Sequence, residues 1–413
     1  MSQVVVPLEI ESIAAGGDGV ARNNGLVVFV PRTAPGDLIT ARVSGRGTFA
    51  RGSLRAVTRP SPHRVEPACG HYTRDRCGGC QLQHMSYESQ LEAKRRIIAD
   101  AISRIGKRDV DLPEVHPSQL EWRYRTKLTL AIRRTGGGWI AGLHPYDDPT
   151  RVFALEDCPI TDRSVVTVWR EILSHARFFP ECPSLRGSVR VWPNGASFVL
   201  SGGIRFPGAQ ELFTGVPALS AMWWDDDTGA RRLVADRRRP NERGSPAASF
   251  AQVNPVVASE LSEFVIEMIL ARAPASVIDA YSGAGDIAFA LASRGVKVTA
   301  IELDQNAAKW CASRLPEGSR SVRAKVEDAI AAALPADVVL LNPPRAGLDE
   351  RVCVALESQV ERPTALIYVS CNPATLARDL TRLPGYRLES LTGFDMFPQT
   401  AHVETVCELV PAT

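Results

Sequence analysis

Residues 276–304 read SVIDAYSGAGDIAFALASRGVKVTAIELD, and this stretch decides the class of fold. An apolar run from Ser276 to Ala280 ends in a turn-forming segment with glycines at 283 and 285. A helix-length run through Ile287 to Ala292 follows, and a second apolar run, Lys297 to Glu302, closes the unit. Strands this apolar are covered on both faces, and a helix placed between two of them returns the chain so that the strands run parallel. The pattern repeats downstream in a helix containing NAAKWCASRL, a third strand near RAKVEDAI, a fourth in DVVLLNPP and a fifth in ALIYVSCN. It predicts a doubly wound α/β unit over residues 250–413, with ligands bound beyond the carboxyl ends of the strands.

The first turn carries the chemistry of a nucleoside site. In Asp279-Ala280-Tyr281-Ser282-Gly283-Ala284-Gly285-Asp286 the glycines permit a tight turn and a close ligand approach, and Glu302 ends the next strand 21 residues after Tyr281, where a carboxylate can accept ribose hydroxyls. A dinucleotide site wants a third glycine beside the pyrophosphate, and Ala288 and Phe289 stand there instead. A ligand without phosphate, S-adenosylmethionine, fits better. Asp328, placed near the end of the third strand, is a candidate contact to the adenine, with a plain surface carboxylate as the alternative.

The fifth strand runs directly into Ser370-Cys371-Asn372-Pro373, which puts Cys371 at the functional edge of the sheet. A thiolate there can add to carbon six of a uracil, making carbon five electron-rich enough to attack a sulfonium methyl group; a base must then remove the carbon-five proton. Glu404, in Asp395-Met396-Phe397-Pro398-Gln399-Thr400-Ala401-His402-Val403-Glu404, is the candidate base. The fourth strand ends in Asn342-Pro343-Pro344-Arg345-Ala346-Gly347. Amino-group methyltransferases need an aromatic residue after the two prolines and cytosine methyltransferases need a cysteine. Arg345 occupies that place, which leaves uracil as the target.

Working outward, residues 1–60 alternate short β-rich runs with turns at Gly16-Gly17, Asn23-Asn24-Gly25 and Pro35-Gly36, the pattern of a small OB-like β-barrel. No acidic residue falls between Leu38 and Val65, whereas Arg42, Arg46, Arg51, Arg55, Arg59 and Arg64 recur there; this one-sign stripe is the footprint of RNA binding. Residues 61–249 read as an α+β central domain, with a helix in SYESQLEAKRRIIADAISRI, strands in WRYRTKLTLAIRR and WIAGLHPY, and a basic loop from Arg231 to Arg243. No apolar run reaches membrane-spanning length, and the start MSQVVVPLEI has no secretory pattern, so a cytoplasmic protein is expected, with no membrane and no DNA partner, acting as a monomer.

Nine cysteines in such a chain are read as metal ligands, nucleophiles or packing. Cys69, Cys77 and Cys80 in CGHYTRDRCGGCQLQH can share one centre, and Cys158 before Pro159 is the best fourth ligand. Four thiolates suit zinc or an iron–sulfur cluster, and spacing does not choose between them. Cys182, Cys311, Cys353 and Cys407 are read as packing.

Taken together, SVIDAYSGAG, NPPRAGLD, YVSCNPATLARDL and DMFPQTAHVETV resemble the RNA uracil-5-methyltransferase family, and the N-terminal segment resembles the TRAM barrel of many of its members. The resemblance implies a Rossmann-like S-adenosylmethionine-dependent methyltransferase unit, Cys371 as nucleophile and Glu404 as base. It implies cofactor contacts from Gln252, Tyr281, Gly283, Asp286, Glu302 and Asn342. It favours a 4Fe–4S cluster over zinc at the four cysteines, and 23S ribosomal RNA over transfer RNA as substrate. The chain departs from the family pattern at Asp286, where Asn is usual, at Asn342, where Asp is usual, and at Gln399, where His is common. Two other readings compete: a noncatalytic iron–sulfur RNA-binding protein, which should lack Cys371 or Glu404, and a nicotinamide oxidoreductase, which should complete the glycine pattern.

Overall fold

The computed structural model describes residues 4–45, 48–239 and 252–412, arranged around three sheets. The first has six strands in the order Val4–Glu9, Leu38–Ser44, Phe49–Arg59, Leu26–Val30, Gly19–Asn23 and Ser12–Ile13. Its inward side chains, Leu8, Ile10, Ala21, Val28, Val30, Ile39, Ala41 and Ala50, make a core of their own, so the sheet curls around itself without a covering helix. The small inward residues follow from that curvature: a Cβ on Gly52 would lie 2.7 Å from Val30. Arg42, Arg51, Arg55 and Arg59 are exposed on this sheet. Arg64 is not part of that surface. It turns inward to Asp37, 2.6 Å away, whose carboxylate also accepts the Ala34 and Ser61 N–H groups at 2.7 and 2.8 Å, so it fixes the exit from the sheet. Arg46 lies outside the described residues.

The second sheet has seven strands in the order Phe153–Ala154, Gly138–Leu143, Lys127–Thr135, Ser184–Trp192, Gly195–Ser201, Leu219–Asp225 and Arg231–Asp236. The segment expected as a loop from Arg231 therefore begins with a strand, paired antiparallel to Leu219–Asp225, and residues 240–251 lie outside the described residues. Its charged side chains misled the reading because an edge strand carries them without disturbing a core. The helix Arg163–Ser174 lays Val165, Val168, Trp169 and Ile172 on Leu128, Leu130, Ile132, Val189, Phe198 and Leu200. Gly187 is the contact point, since a Cβ there would meet the Trp169 ring at 2.4 Å. The opposite face of this sheet is polar.

The third sheet has eight strands: Arg320–Arg323, Lys297–Glu302, Ser276–Ala280, Val338–Leu341, Ala365–Ser370, Glu404–Pro411, Tyr386–Phe394 and Glu114–His116. The first five run parallel, as their apolar sequences predict, and Glu404–Pro411 then pairs antiparallel with the fifth. The last strand comes from the middle of the chain. So does the helix Tyr87–Arg104, which places Ile98, Ala101 and Ile102 in the core of this sheet. The same helix carries Lys94, whose ammonium is ion-paired with Asp395, both side chains 0% exposed, and also donates to Phe397 O at 3.1 Å. No described helix is long and apolar enough to cross a membrane.

Candidate active site

Antiparallel pairing creates the site. Ser370, the last residue of its strand, is opposite Thr405, where the ladder ends; Cys371 and Glu404 are the next residues on the two chains and lie within electrostatic reach of each other. Phe394 flanks Glu404 from the other side. Cys371 is half-buried, while Glu404 is 3% exposed. Burial pushes the Glu404 carboxyl up to about 7, against a hydrogen bond from the Gln252 side chain and the charge of Arg345, which both favour the carboxylate. Burial, and then the charge of Glu404, push the Cys371 thiol up, and Arg345 pulls it back down. A carboxyl that titrates near neutrality beside a thiol is the pairing expected of a proton acceptor and a nucleophile.

Arg345 is the site residue whose role the sequence reading missed. The sequence marked it only for what it replaced, whereas in the structure its charge acts on both Cys371 and Glu404. Its loop is held from below: the Asp379 carboxylate, fully buried, accepts the Leu348 N–H and the Tyr368 hydroxyl, each at 2.8 Å. Gly347 adopts φ +79°, and a Cβ on it would lie 2.4 Å from that carboxylate, so only glycine passes the chain over Asp379.

The nucleoside turn forms at the carboxyl end of Ser276–Ala280. Tyr281, Gly283 and Gly285 take left-handed φ values of +63°, +56° and +77°. A Cβ on Gly285 would lie 2.2 Å from the Cys311 sulfur, while the space beside Gly283 is open. Glu302 accepts the Gly283 N–H at 2.8 Å and the Asp304 N–H at 2.6 Å, one on each carboxylate oxygen, which fixes it at the rim with lone pairs to spare for ribose hydroxyls. Asn342 is exposed at the neighbouring strand end, its N–H bonded to Ala280 O at 3.3 Å.

Two expected contacts fall differently. Asp286 opens the helix Asp286–Ala292 with its side chain 77% exposed and paired to Arg314 at 2.8 Å. Asp328 is not at a strand end; it sits in the first turn of the helix Val326–Ala333, paired to Arg351 at 2.7 Å, and the third strand has already ended at Arg323. Carboxylates suit a helix N-terminus on dipole grounds alone, which is how that segment came to mimic a strand-end ligand.

The remaining candidates meet some distance along the chain. Cys69, Cys77, Cys80 and Cys158 are all buried; Cys80 has the other three thiols as electrostatic neighbours, and Cys77 has Cys158 and Cys69. Burial pushes Cys77 up to about 11 and raises Cys80 and Cys158 as well. The loop of Cys158 is clamped by Arg123, which donates to both Asp157 oxygens at 2.9 and 2.6 Å and to Cys158 O at 3.1 Å. Arg32, in the turn that follows Leu26–Val30 of the first sheet, donates to Tyr72 O and to Cys77 O and stacks on the Tyr72 ring at 3.8 Å. Among the described residues no three His, Cys, Asp or Glu side chains are close enough to hold a single metal ion.

Comparison with known proteins places these observations in a lineage. The profile of the tRNA (uracil-5-)-methyltransferase family matches residues 317–410, which include Cys371 and Glu404. The chain is 31% identical over 431 residues to an uncharacterised RNA methyltransferase of Protochlamydia amoebophila, covering 97% of this chain and 96% of the relative. It is 32% identical over 446 residues to one of Gloeobacter violaceus, covering 98% and 96%. Among solved structures, the tRNA (uracil-54) methyltransferase of Pyrococcus abyssi in complex with S-adenosyl-L-homocysteine shares the fold, with a TM-score of 0.70 at 24% identity over 98% of this chain and 100% of that one.

Proposed function

Because the chain belongs to the RNA uracil-5-methyltransferase family, we propose that it forms 5-methyluridine in RNA through a covalent adduct on Cys371, with S-adenosylmethionine as methyl donor. The observation that carries this reading is the strand register that sets Cys371 against Glu404. The Cys371 sulfur adds to carbon six of the uracil, and the electron pair displaced from the ring double bond makes carbon five a nucleophile. S-adenosylmethionine supplies the methyl group to that carbon. Glu404 takes the proton left on carbon five, and the returning electron pair expels the sulfur. Arg345 favours both ionised groups, the thiolate before addition and the carboxylate before proton removal.

For the donor, the open space at Gly283, the lone pairs of Glu302 and the strand-end positions of Tyr281 and Asn342 fit a nucleoside without phosphate. Gln252 serves Glu404, and Asp286 and Asp328 are the outer candidates, each ion-paired to an arginine through one carboxylate oxygen and open to solvent at the other. For the four buried cysteines we favour a 4Fe–4S cluster. The reading rests on the resemblance of the Cys77-Gly78-Gly79-Cys80 segment, with Cys69 before it and Cys158 far behind it, to the family's cluster ligands, and on the burial of all four side chains. Such a centre would tie the first sheet, through Arg32, to the loops of the second.

The substrate we favour is 23S ribosomal RNA, on the resemblance of barrel plus cysteine cluster; transfer RNA is the second reading, supported by the likeness to the Pyrococcus tRNA (uracil-54) methyltransferase. A target uracil in either RNA must leave its stack to reach a half-buried thiol, at a cost of a few kcal/mol. Mapping 5-methyluridine in both RNAs from cells lacking the protein tests the reading. Loss of one modification, restored by wild type and not by Cys371→Ala, is expected; unchanged modification in both RNAs would contradict it.

A further inference from the structure

The helix-free face of the second sheet carries cations that the fold does not neutralise. Alternation along Ser184–Trp192 sends Leu185, Gly187 and Val189 into the core and Arg186, Ser188 and Arg190 to the other side. Register then aligns them across strands. Arg190 stands opposite Lys127 on one neighbour and Ser197 on the other, Ser188 opposite Thr129 and Val199, and Arg186 opposite Ala131 and Ser201. Two cations directly opposite on adjacent strands repel, an arrangement sheets normally avoid. Among the described residues the side chains of Lys127, Arg186 and Arg190 have no ion pair and no hydrogen bond. The one carboxylate lining the depression, Asp225, is held by Arg231 at 2.6 and 2.8 Å and by the Ser201 hydroxyl at 3.2 Å.

These groups line an open depression of about 230 Å³. Burial and the charges of Arg190, Arg125, Arg231 and Arg186 all push the Lys127 ammonium down. Like charges gathered on one face without a carboxylate partner favour an anion there. Its position says which anion. Thr126, one residue before the strand carrying Lys127, donates its N–H to Val253 O at 2.8 Å, and the adjacent Gln252 bonds the Glu404 carboxylate. At the other end Arg231 lies within electrostatic reach of Asp304, two residues past Glu302. The basic face is thus linked at one end to the segment of Gln252 and at the other to the rim beside Glu302.

We propose that this face is a phosphate-binding surface that holds the RNA backbone flanking the target uridine. The inference rests on the RNA-methylating reading above. Arginines, a lysine and the hydroxyls of Thr129, Ser188, Ser197 and Ser201 suit phosphate oxygens, the contacts that position RNA. It is separate from the arginines of the first sheet, so the two surfaces grip different parts of one RNA.

The test uses the full-length protein with an RNA fragment that wild type methylates, comparing wild type, Arg186→Ala/Arg190→Ala and Arg186→Lys/Arg190→Lys. The alanine pair is expected to weaken RNA binding roughly tenfold or more at about 0.1 M salt and to reduce the slope of log K against log salt by about 1.4 to 1.8. KM for RNA should rise with kcat kept at saturating RNA, and the lysine pair should retain most of the affinity. Without RNA the alanine pair should melt no lower than wild type, because the charges removed are unpaired; a structural role would lower it. An unchanged salt slope and KM, or a fall in kcat with unchanged affinity, overturns the proposal. If wild type binds RNA with this salt dependence yet forms no 5-methyluridine in any RNA, the catalytic reading fails while the surface stands; if wild type methylates and the alanine pair matches it, the surface alone fails.

Discussion

Cys371 and the quartet Cys69, Cys77, Cys80 and Cys158 are the same side chain in opposite settings. Cys371 stands half-open at a strand end, with a guanidinium and a carboxyl for neighbours. The quartet lies at 7–9% exposure in a hydrophobic core, with other thiols as the charged neighbours of Cys77 and Cys80. A sulfur that must attack a substrate needs an open side and a group to manage its proton. Sulfurs that hold a cluster need one another and dryness. Environment, not residue type, separates reactivity from architecture.

The sharpest way to break that contrast is to delete one member of each set. Cys371→Ala should lower methylation by on the order of 10⁴ or more while leaving thermal stability within about 1 kcal/mol of wild type. Cys80→Ala should do the reverse, lowering stability by several kcal/mol and bleaching visible absorption in anaerobically purified protein, because its loss leaves a centre one ligand short. A Cys80→Ala protein as stable as wild type would remove the distinction.

Lys94→Met leaves the Asp395 carboxylate buried without its cation, so unfolding should become easier by about 3–5 kcal/mol, read by denaturant titration. That loop leads into Glu404, so a fall in kcat should accompany it.

The next effect concerns pH. The folded pKa of Glu404, about 7, exceeds the ordinary 4.5, so its contribution to stability is complete below 4.5 and is lost as pH rises through 7. Asp279, buried beneath the nucleoside turn and also raised to about 7, has the same sign. Glu404→Gln should therefore gain stability relative to wild type as pH rises from 5 to 8, by up to about 2–3 kcal/mol, while turnover falls by about 10² to 10⁴. Wild-type turnover should climb with pH through about 7 as the base ionises. Melting curves for the two proteins at pH 5 and 8 check the sign.

Cys371 and Glu404 could be proposed from the sequence because each lies in a motif bordering an apolar strand, Cys371 just after Ala365–Ser370 and Glu404 at the start of Glu404–Pro411. Their adjacency was not, since pairing residues 370 and 405 is a matter of antiparallel register between distant segments, and no local signal records it. Arg345 was visible as a residue and invisible as a neighbour for the same reason. The parallel sheet could be read from its apolar strands, and so could the helix Tyr87–Arg104 from its spacing. Its destination could not, because an apolar face does not say which core receives it. Arg64 looked like one more arginine in a basic stripe until Asp37 claimed it, and Asp328 looked like a strand-end carboxylate until a helix began there. Charge is plain in a sequence, but its partner is set by the fold.

The covalent adduct is tested most directly with substrate RNA carrying 5-fluorouridine at the target position. Fluorine leaves Glu404 no proton to take, so after methylation the ring stays bound. Incubation with S-adenosylmethionine should yield a stable protein–RNA species whose peptide mass assigns the link to Cys371, absent without methyl donor and absent in Cys371→Ala. No such species, or one joined through another residue, would contradict the account.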